Sequence, residues 1–106
     1  MEAALKALAE PNRRRILTLV KGGELTAGEI ASHFEVSRPA VSQHLTVLKE
    51  AGLVHERRNG TRRLYSVRPE GLADLKAFLE GFWDARLEAL KREAEREERR
   101  KRGKHD

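Results

Sequence analysis

Two helix-start signals stand only eleven residues apart, and that closeness restricts the fold more than any other feature of the chain. In the first, Leu25-Thr26-Ala27-Gly28-Glu29-Ile30, Thr26 can cap the amide of Glu29 while the Glu29 carboxylate returns to the amide of Thr26. Leu25 and Ile30 then occupy the two staple positions. In the second, Val36-Ser37-Arg38-Pro39-Ala40-Val41, Ser37 is the N-cap, Pro39 is tolerated in the first turn, and Val36 can staple Val41. Ile30, Ala31 and Phe34 carry the first buried face, so the first helix is expected to last about nine residues before a turn at Glu35-Val36. Val41, Leu45 and Leu48 follow at i, i+4 and i+7, and Gly52 is placed to end the second helix as a left-handed residue, with Leu48 touching Leu53 in a Schellman motif. This predicts a helix from about Arg38 to Ala51. Two short helices across so tight a turn form a helix-turn-helix.

With Val41, Leu45 and Leu48 inward, the helical step puts Pro39, Gln43, Thr46 and Glu50 on the opposite side, flanked by Ala40, Ser42 and Val47. The N-terminal half of that face is small and polar. A helix entering a DNA major groove needs such a surface, with short side chains for close approach and Ser and Gln to read base edges. The expected contacts are Ser37 and Arg38 to phosphate and Ser42, Gln43 and Thr46 to bases, with Pro39 and Ala40 lying against the duplex. His44 borders the buried face and is expected either to pack or to meet phosphate. The alternative for this whole face is a capped helix that merely faces solvent.

After Gly52 the pattern changes to Leu53-Val54-His55-Glu56-Arg57-Arg58, then Asn59-Gly60, then Thr61-Arg62-Arg63-Leu64-Tyr65-Ser66-Val67. Asn-Gly between two strand-like runs predicts a hairpin with a type I′ turn. A two-residue Asn59-Gly60 loop pairs Arg58 with Thr61, Arg57 with Arg62, Glu56 with Arg63 and Val54 with Tyr65. Arg57, Arg58, Asn59, Arg62 and Arg63 then crowd the tip. Arginines stacked across strands repel unless an anion lies near, and the phosphate backbone is the obvious one. Residues 53–68 hold five Arg against one Glu, most of the chain's net charge of +5. A charged edge hairpin that resists aggregation is the competing explanation.

The flanks are helical. Leu5 and Leu8 mark a short N-terminal helix that ends before Pro11. Pro11 opens a second helix with Ile16, Leu17 and Val20 as its stripe, closed by Gly22-Gly23. From Pro69, Leu72, Leu75, Leu79, Phe82 or Trp83, Leu87, Leu90 and Ala94 recur at alternating threes and fours, broadened by Phe78, which predicts a helix of about 25 residues. That stripe exceeds what so small a domain covers by itself, so a second copy of the chain is implied, related by a two-fold axis. The expected dimer interface is Leu5, Leu8, Leu75, Phe78, Leu79, Phe82, Trp83, Leu87 and Leu90. Lining of an effector pocket by the aromatic residues is the alternative. Residues 1–98 are expected to form one domain and 99–106 a basic, disordered tail.

Several function classes find no residues to support them. The chain has no cysteine, which removes thiolate metal sites and cysteine nucleophiles. Its histidines, His33, His44, His55 and His105, never stand at i, i+3 or i+4, so no helical chelate is expected and no metal or other cofactor is assigned. No glycine-rich phosphate loop or readable relay of acid, base and nucleophile is present, and no catalytic residue is assigned. With 37% charged residues, no apolar run is long enough for a membrane span and the N-terminus lacks a secretory pattern, so a cytoplasmic protein is expected.

The order helix, helix, helix-turn-helix, Asn-Gly wing, long C-terminal helix resembles the winged helix-turn-helix repressors of the ArsR family. The segment from Leu8 through Glu10-Pro11-Asn12-Arg13-Arg14-Arg15 to Leu17 is similar to that family's opening. Ser37-Arg38-Pro39-Ala40-Val41-Ser42-Gln43-His44-Leu45, with Leu48-Lys49-Glu50-Ala51-Gly52-Leu53-Val54, is similar to its recognition helix and exit. The resemblance covers about residues 3–90. It implies a mainly α fold with a small β-hairpin, a homodimer joined through its first and last helices, double-stranded DNA with an inverted-repeat operator as partner, and repression of transcription. Many members sense metals through cysteines ahead of the recognition helix or through His and Asp in the last helix. Here residues 24–31 hold no Cys and residues 72–100 no His, so neither sensing site carries over. Whether a small-molecule effector exists stays open. The competing class is an architectural or assembly winged helix without sequence readout.

Overall fold

The computed structural model describes the backbone of residues 1–104, and the side chains of these except 84, 85 and 102–104. The chain divides into two units, Met1–Leu75 and Lys76–Asp106. In the first, α1 (Glu2–Leu8) and α2 (Pro11–Val20) lead to a two-residue strand β1 (Leu25–Thr26), then α3 (Ala27–Ala31) and α4 (Arg38–Glu50). The hairpin β2 (Val54–Asn59) and β3 (Arg62–Val67) follows, and α5 (Pro69–Lys104) begins in the first unit and runs through the described residues of the second.

The local signals place the helices. Glu10 caps α2 by accepting from the Arg13 amide at 3.1 Å, with Pro11 at the first position, where its missing N–H costs nothing. The reciprocal capping box forms, Thr26 Oγ1 accepting from the Glu29 amide and Glu29 Oε1 from the Thr26 amide, both at 3.1 Å. Ser37 Oγ accepts from the Ala40 amide at 3.3 Å. At the far end of α4, Gly52 takes φ +76°, its amide bonds the Lys49 carbonyl and the Leu53 amide bonds the Leu48 carbonyl. That is the expected Schellman motif, and Leu48 and Leu53 are both fully buried. Ile16, Val20, Ile30, Val41, Leu45, Leu48 and Leu53 form the center of the core, with Ala4, Ala7, Val54 and Tyr65 around them.

Three expectations need correction. Helix α3 spans five residues, not about nine, because a turn begins at Ser32, whose hydroxyl donates to the Glu29 carbonyl at 2.6 Å. The hairpin turns on Gly60-Thr61, not Asn59-Gly60, so Asn59 faces Arg62, Arg58 faces Arg63, Arg57 faces Leu64, Glu56 faces Tyr65 and Val54 faces Val67. Gly60 has φ +66°, and among the described residues no non-glycine has positive φ. A turn with only its first central residue left-handed has the II′ pattern, which favours glycine at that position, here Gly60. Finally, α5 runs over 36 residues, not about 25, and takes in residues 99–104, read from the sequence as tail. His105 and Asp106 lie outside the described residues.

The sheet order is β1-β3-β2, all antiparallel, with Leu25 opposite Tyr65 and Thr26 opposite Leu64. Strand β1, which the sequence reading did not include, fastens the start of α3 to the wing.

Candidate nucleic-acid interface

Helix α4 and the wing enclose an open groove of about 700 Å³. From α4 it is lined by Arg38, Ser42, Thr46 and Lys49, which recur along a single stripe of the helix. Thr61, Arg62, Arg63, Tyr65 and Glu56 face them from the wing, and residues 26–29 at the start of α3 form the floor. Ser37, Pro39, Ser42, Gln43 and Thr46 are exposed and Ala40 is half-buried. Among the described residues none takes the Gln43 carboxamide as a partner, whereas the Thr46 hydroxyl donates to the Ser42 carbonyl at 3.0 Å.

Electrostatics divides the wing arginines into unlike groups. Arg57 is held by Glu24, Nε donating to Oε2 at 2.9 Å and a terminal nitrogen to Oε1 at 2.7 Å, a bidentate pair. The anion that the sequence reading sought for Arg57 in phosphate is thus supplied within the chain, and this guanidinium holds the Glu24 carboxyl below its ordinary pKa. Arg58, Asn59, Arg62 and Arg63 are exposed toward the tip. Like charges face each other at Arg58 and Arg63, not at Arg57 and Arg62 as the Asn59-Gly60 loop would have had it.

Two carboxylates sit in the groove. The Thr26 backbone N–H and hydroxyl hold Glu29 below the usual carboxylate range, with Arg62 adding to the effect. Burial pushes Glu56 up, but the Tyr65 hydroxyl, donating at 3.0 Å, and the Lys49 and Arg63 cations outweigh it, and its pKa too ends lowered. Lys49 Nζ stands 3.5 Å from Glu56 Oε2.

His44 lies on the other side of α4. Its Nδ1 accepts from Arg13 Nε at 3.2 Å and its Nε2 stands 3.8 Å from Glu10 Oε2, so it joins α4 to the start of α2. Of the two roles weighed for it, the geometry favours packing. Lys49, Glu24 and Glu56 were missing from the expected set. Lys49 could have been found by following the Arg38 stripe three turns along the helix, but Glu24 and Arg57 are 33 residues apart and nothing local links them.

The expected interface residues fall into two groups. Leu8 packs partly against the core, Leu75 is buried in the single chain and Leu5 is 37% exposed. On the second unit Phe78, Leu79, Phe82, Trp83, Leu87 and Leu90 are 36–66% exposed, with Phe78 and Phe82 edge to face at 5.1 Å. Among the described residues no helix is long and apolar enough to cross a membrane, and no group of three or more His, Cys, Asp or Glu could hold a metal ion.

A helix-turn-helix whose second helix faces a basic antiparallel wing across an open groove defines the winged helix-turn-helix class. Residues 10–56 match the family described as bacterial regulatory protein, arsR family. The chain is 50% identical over 86 residues to the HTH-type transcriptional regulator Rv2034 of Mycobacterium tuberculosis, covering 81% of this chain and 80% of that protein. It is 45% identical over 74 residues to the transcriptional repressor SdpR of Bacillus subtilis, covering 70% and 82%. The homodimeric winged helix-turn-helix DNA-binding domain Mb0332 of Mycobacterium bovis superimposes with a TM-score of 0.64 at 36% identity, covering 78% of this chain and 77% of that one. The chain belongs to the ArsR family of bacterial transcriptional regulators.

Proposed function

We propose that the protein is a homodimeric transcriptional repressor that binds an inverted-repeat operator in double-stranded DNA. The observation that carries this is the groove in which the Arg38, Ser42 and Thr46 stripe of α4 faces Arg62 and Arg63 of the wing. In this reading α4 enters the major groove, Gln43 and Ser42 read base edges, and Ser37, Arg38, Arg62 and Arg63 hold phosphates. Pro39 and Ala40 allow the close approach, Thr46 meets the bases through its outer side, and Arg58 and Asn59 follow the flanking backbone. Arg57 and His44 set the positions of the wing and of α4 and stand back from the duplex. The exposed apolar face of the second unit supports pairing with a second copy.

Selection from random-sequence duplexes at about 150 mM salt tests this, because phosphate attraction alone is weak there. Enrichment of an inverted repeat with half-sites about ten base pairs apart is expected. Gln43→Ala should relax base preference at one position per half-site, and Arg62→Ala should weaken all duplexes alike and flatten the salt dependence. Binding without any enrichment would overturn the repressor reading in favour of an architectural role.

A further inference from the structure

The basic side chains of the DNA face differ in how available they are. Arg57 is engaged by Glu24 through two hydrogen bonds of 2.7 and 2.9 Å, and Lys49 lies 3.5 Å from Glu56. Only the second pair belongs to the surface that the proposed function turns toward DNA: Lys49 and Glu56 both line the groove, whereas Arg57, the next residue of β2 after Glu56, points to the opposite face of the hairpin.

Stability alone gives little reason for this charge. Lys49 is 48% exposed, so water can solvate it, and an exposed ion pair of this kind contributes little. The Tyr65 hydroxyl, which donates to Glu56 at 3.0 Å, would still find an acceptor in the oxygen of a neutral carboxamide. What the negative charge does change is the field met by phosphate. An acidic group on a phosphate-facing surface is a repulsive element, and repulsion aimed at the wrong partners raises discrimination.

We propose that Glu56 is a specificity-determining residue, which holds Lys49 in an intramolecular ion pair and so limits the sequence-independent attraction of the groove for phosphate. The proposal rests on the DNA-binding reading above. Affinity for random DNA depends steeply on the number of cations free to meet phosphates, whereas base readout by α4 does not. Engaging Lys49 therefore lowers affinity for the many wrong sequences more than for the right one, where α4 and the wing arginines already fix the register.

The test uses the full chain with Glu56→Gln, alone and combined with Lys49→Gln. Binding to a random-sequence duplex and to the sequence selected by the wild type is measured from 50 to about 300 mM salt, with thermal melting alongside. The cation released should steepen the salt slope for random duplex by about 0.9, worth about a fivefold gain in affinity at 150 mM. The selected sequence should gain less, so the ratio of specific to random binding falls, with melting nearly unchanged. Adding Lys49→Gln to Glu56→Gln should restore the wild-type slope.

An unchanged slope for Glu56→Gln in a chain that does bind DNA overturns the proposal. So does an equal shift for both duplexes, or weaker binding that tracks a lost melting temperature, which marks a merely structural role. A wild type that binds neither duplex overturns the DNA-binding reading itself, and this proposal with it, so the two failures are distinguishable.

Discussion

Replacing Gly71 by alanine sets two effects of opposite sign against each other. Gly71 is the third residue of α5, where alanine's better helix propensity is worth at most about 1 kcal/mol in favour of the variant. A Cβ there would, however, overlap the backbone carbonyl of Gly52 and press on the Leu53 amide. That carbonyl cannot rotate aside as a side chain would, because the Gly52 and Leu53 amides are fixed by bonds of 3.0 and 2.9 Å to the carbonyls of Lys49 and Leu48. The Arg68 amide donating to the Leu53 carbonyl at 2.9 Å holds the segment from the other side. Overpacking costs about 1–3 kcal/mol where neighbours can relax, and backbone that cannot places this site at the upper end. The net expectation is a loss of about 1–2 kcal/mol, which in a unit of this size lowers Tm by about 4–8 °C for each kcal/mol. Gly22→Ala is the matched control, since its Cβ would meet nothing within 4 Å and its φ is not left-handed. It should stabilise by about 0.4–1 kcal/mol through the unfolded chain. Melting followed by circular dichroism decides. If Gly71→Ala melts at or above the wild type, the close docking of α5 on the α4 exit is wrong.

Two further outcomes are expected. Ser37→Ala removes the cap on the Ala40 amide and should cost about 1 kcal/mol, with Ser37→Asp or Ser37→Asn restoring most of it in urea unfolding. The carboxyls of Glu24, Glu29 and Glu56 have folded pKa values below the ordinary 4.5, so they bind fewer protons folded than unfolded. The stability they contribute is fully present above about pH 4.5 and is lost as pH falls through the lowered folded values. A triple Glu→Gln variant should therefore show a shallower fall in urea midpoint between pH 5 and about 3, and an unchanged fall would show that other groups carry the acid response.

Legibility followed locality. The capping box at Thr26 and the Schellman exit at Gly52 were readable because every partner lies within a few residues. The hairpin was readable as a hairpin, but its pairing was not. Moving the loop from Asn59-Gly60 to Gly60-Thr61 slides the strands by two residues, which leaves every side chain on the same face, so the alternation of Val54, Glu56 and Tyr65 cannot tell the registers apart. The observed register puts Gly60 at the first central position, which a II′ turn favours, and sets Leu25 of β1 opposite Tyr65. Strand β1, two residues long, has no periodicity to detect. The Glu24 to Arg57 and Arg13 to His44 contacts join residues more than 30 positions apart and depend on the finished fold, so charge counting could show an arginine-rich wing but not which arginine was already engaged.

The apolar face of the second unit has an optical consequence. Trp83 is the only indole in the chain and stands 54% exposed in a single copy, beside Phe82 and close to Leu79 and Leu87 in sequence. Indole emission moves to shorter wavelength as water leaves the ring, so whatever covers this face writes itself into the protein's own fluorescence. Because a pair of copies separates on dilution and a single folded chain does not change, the color of that emission becomes a reading of concentration, obtained without a label.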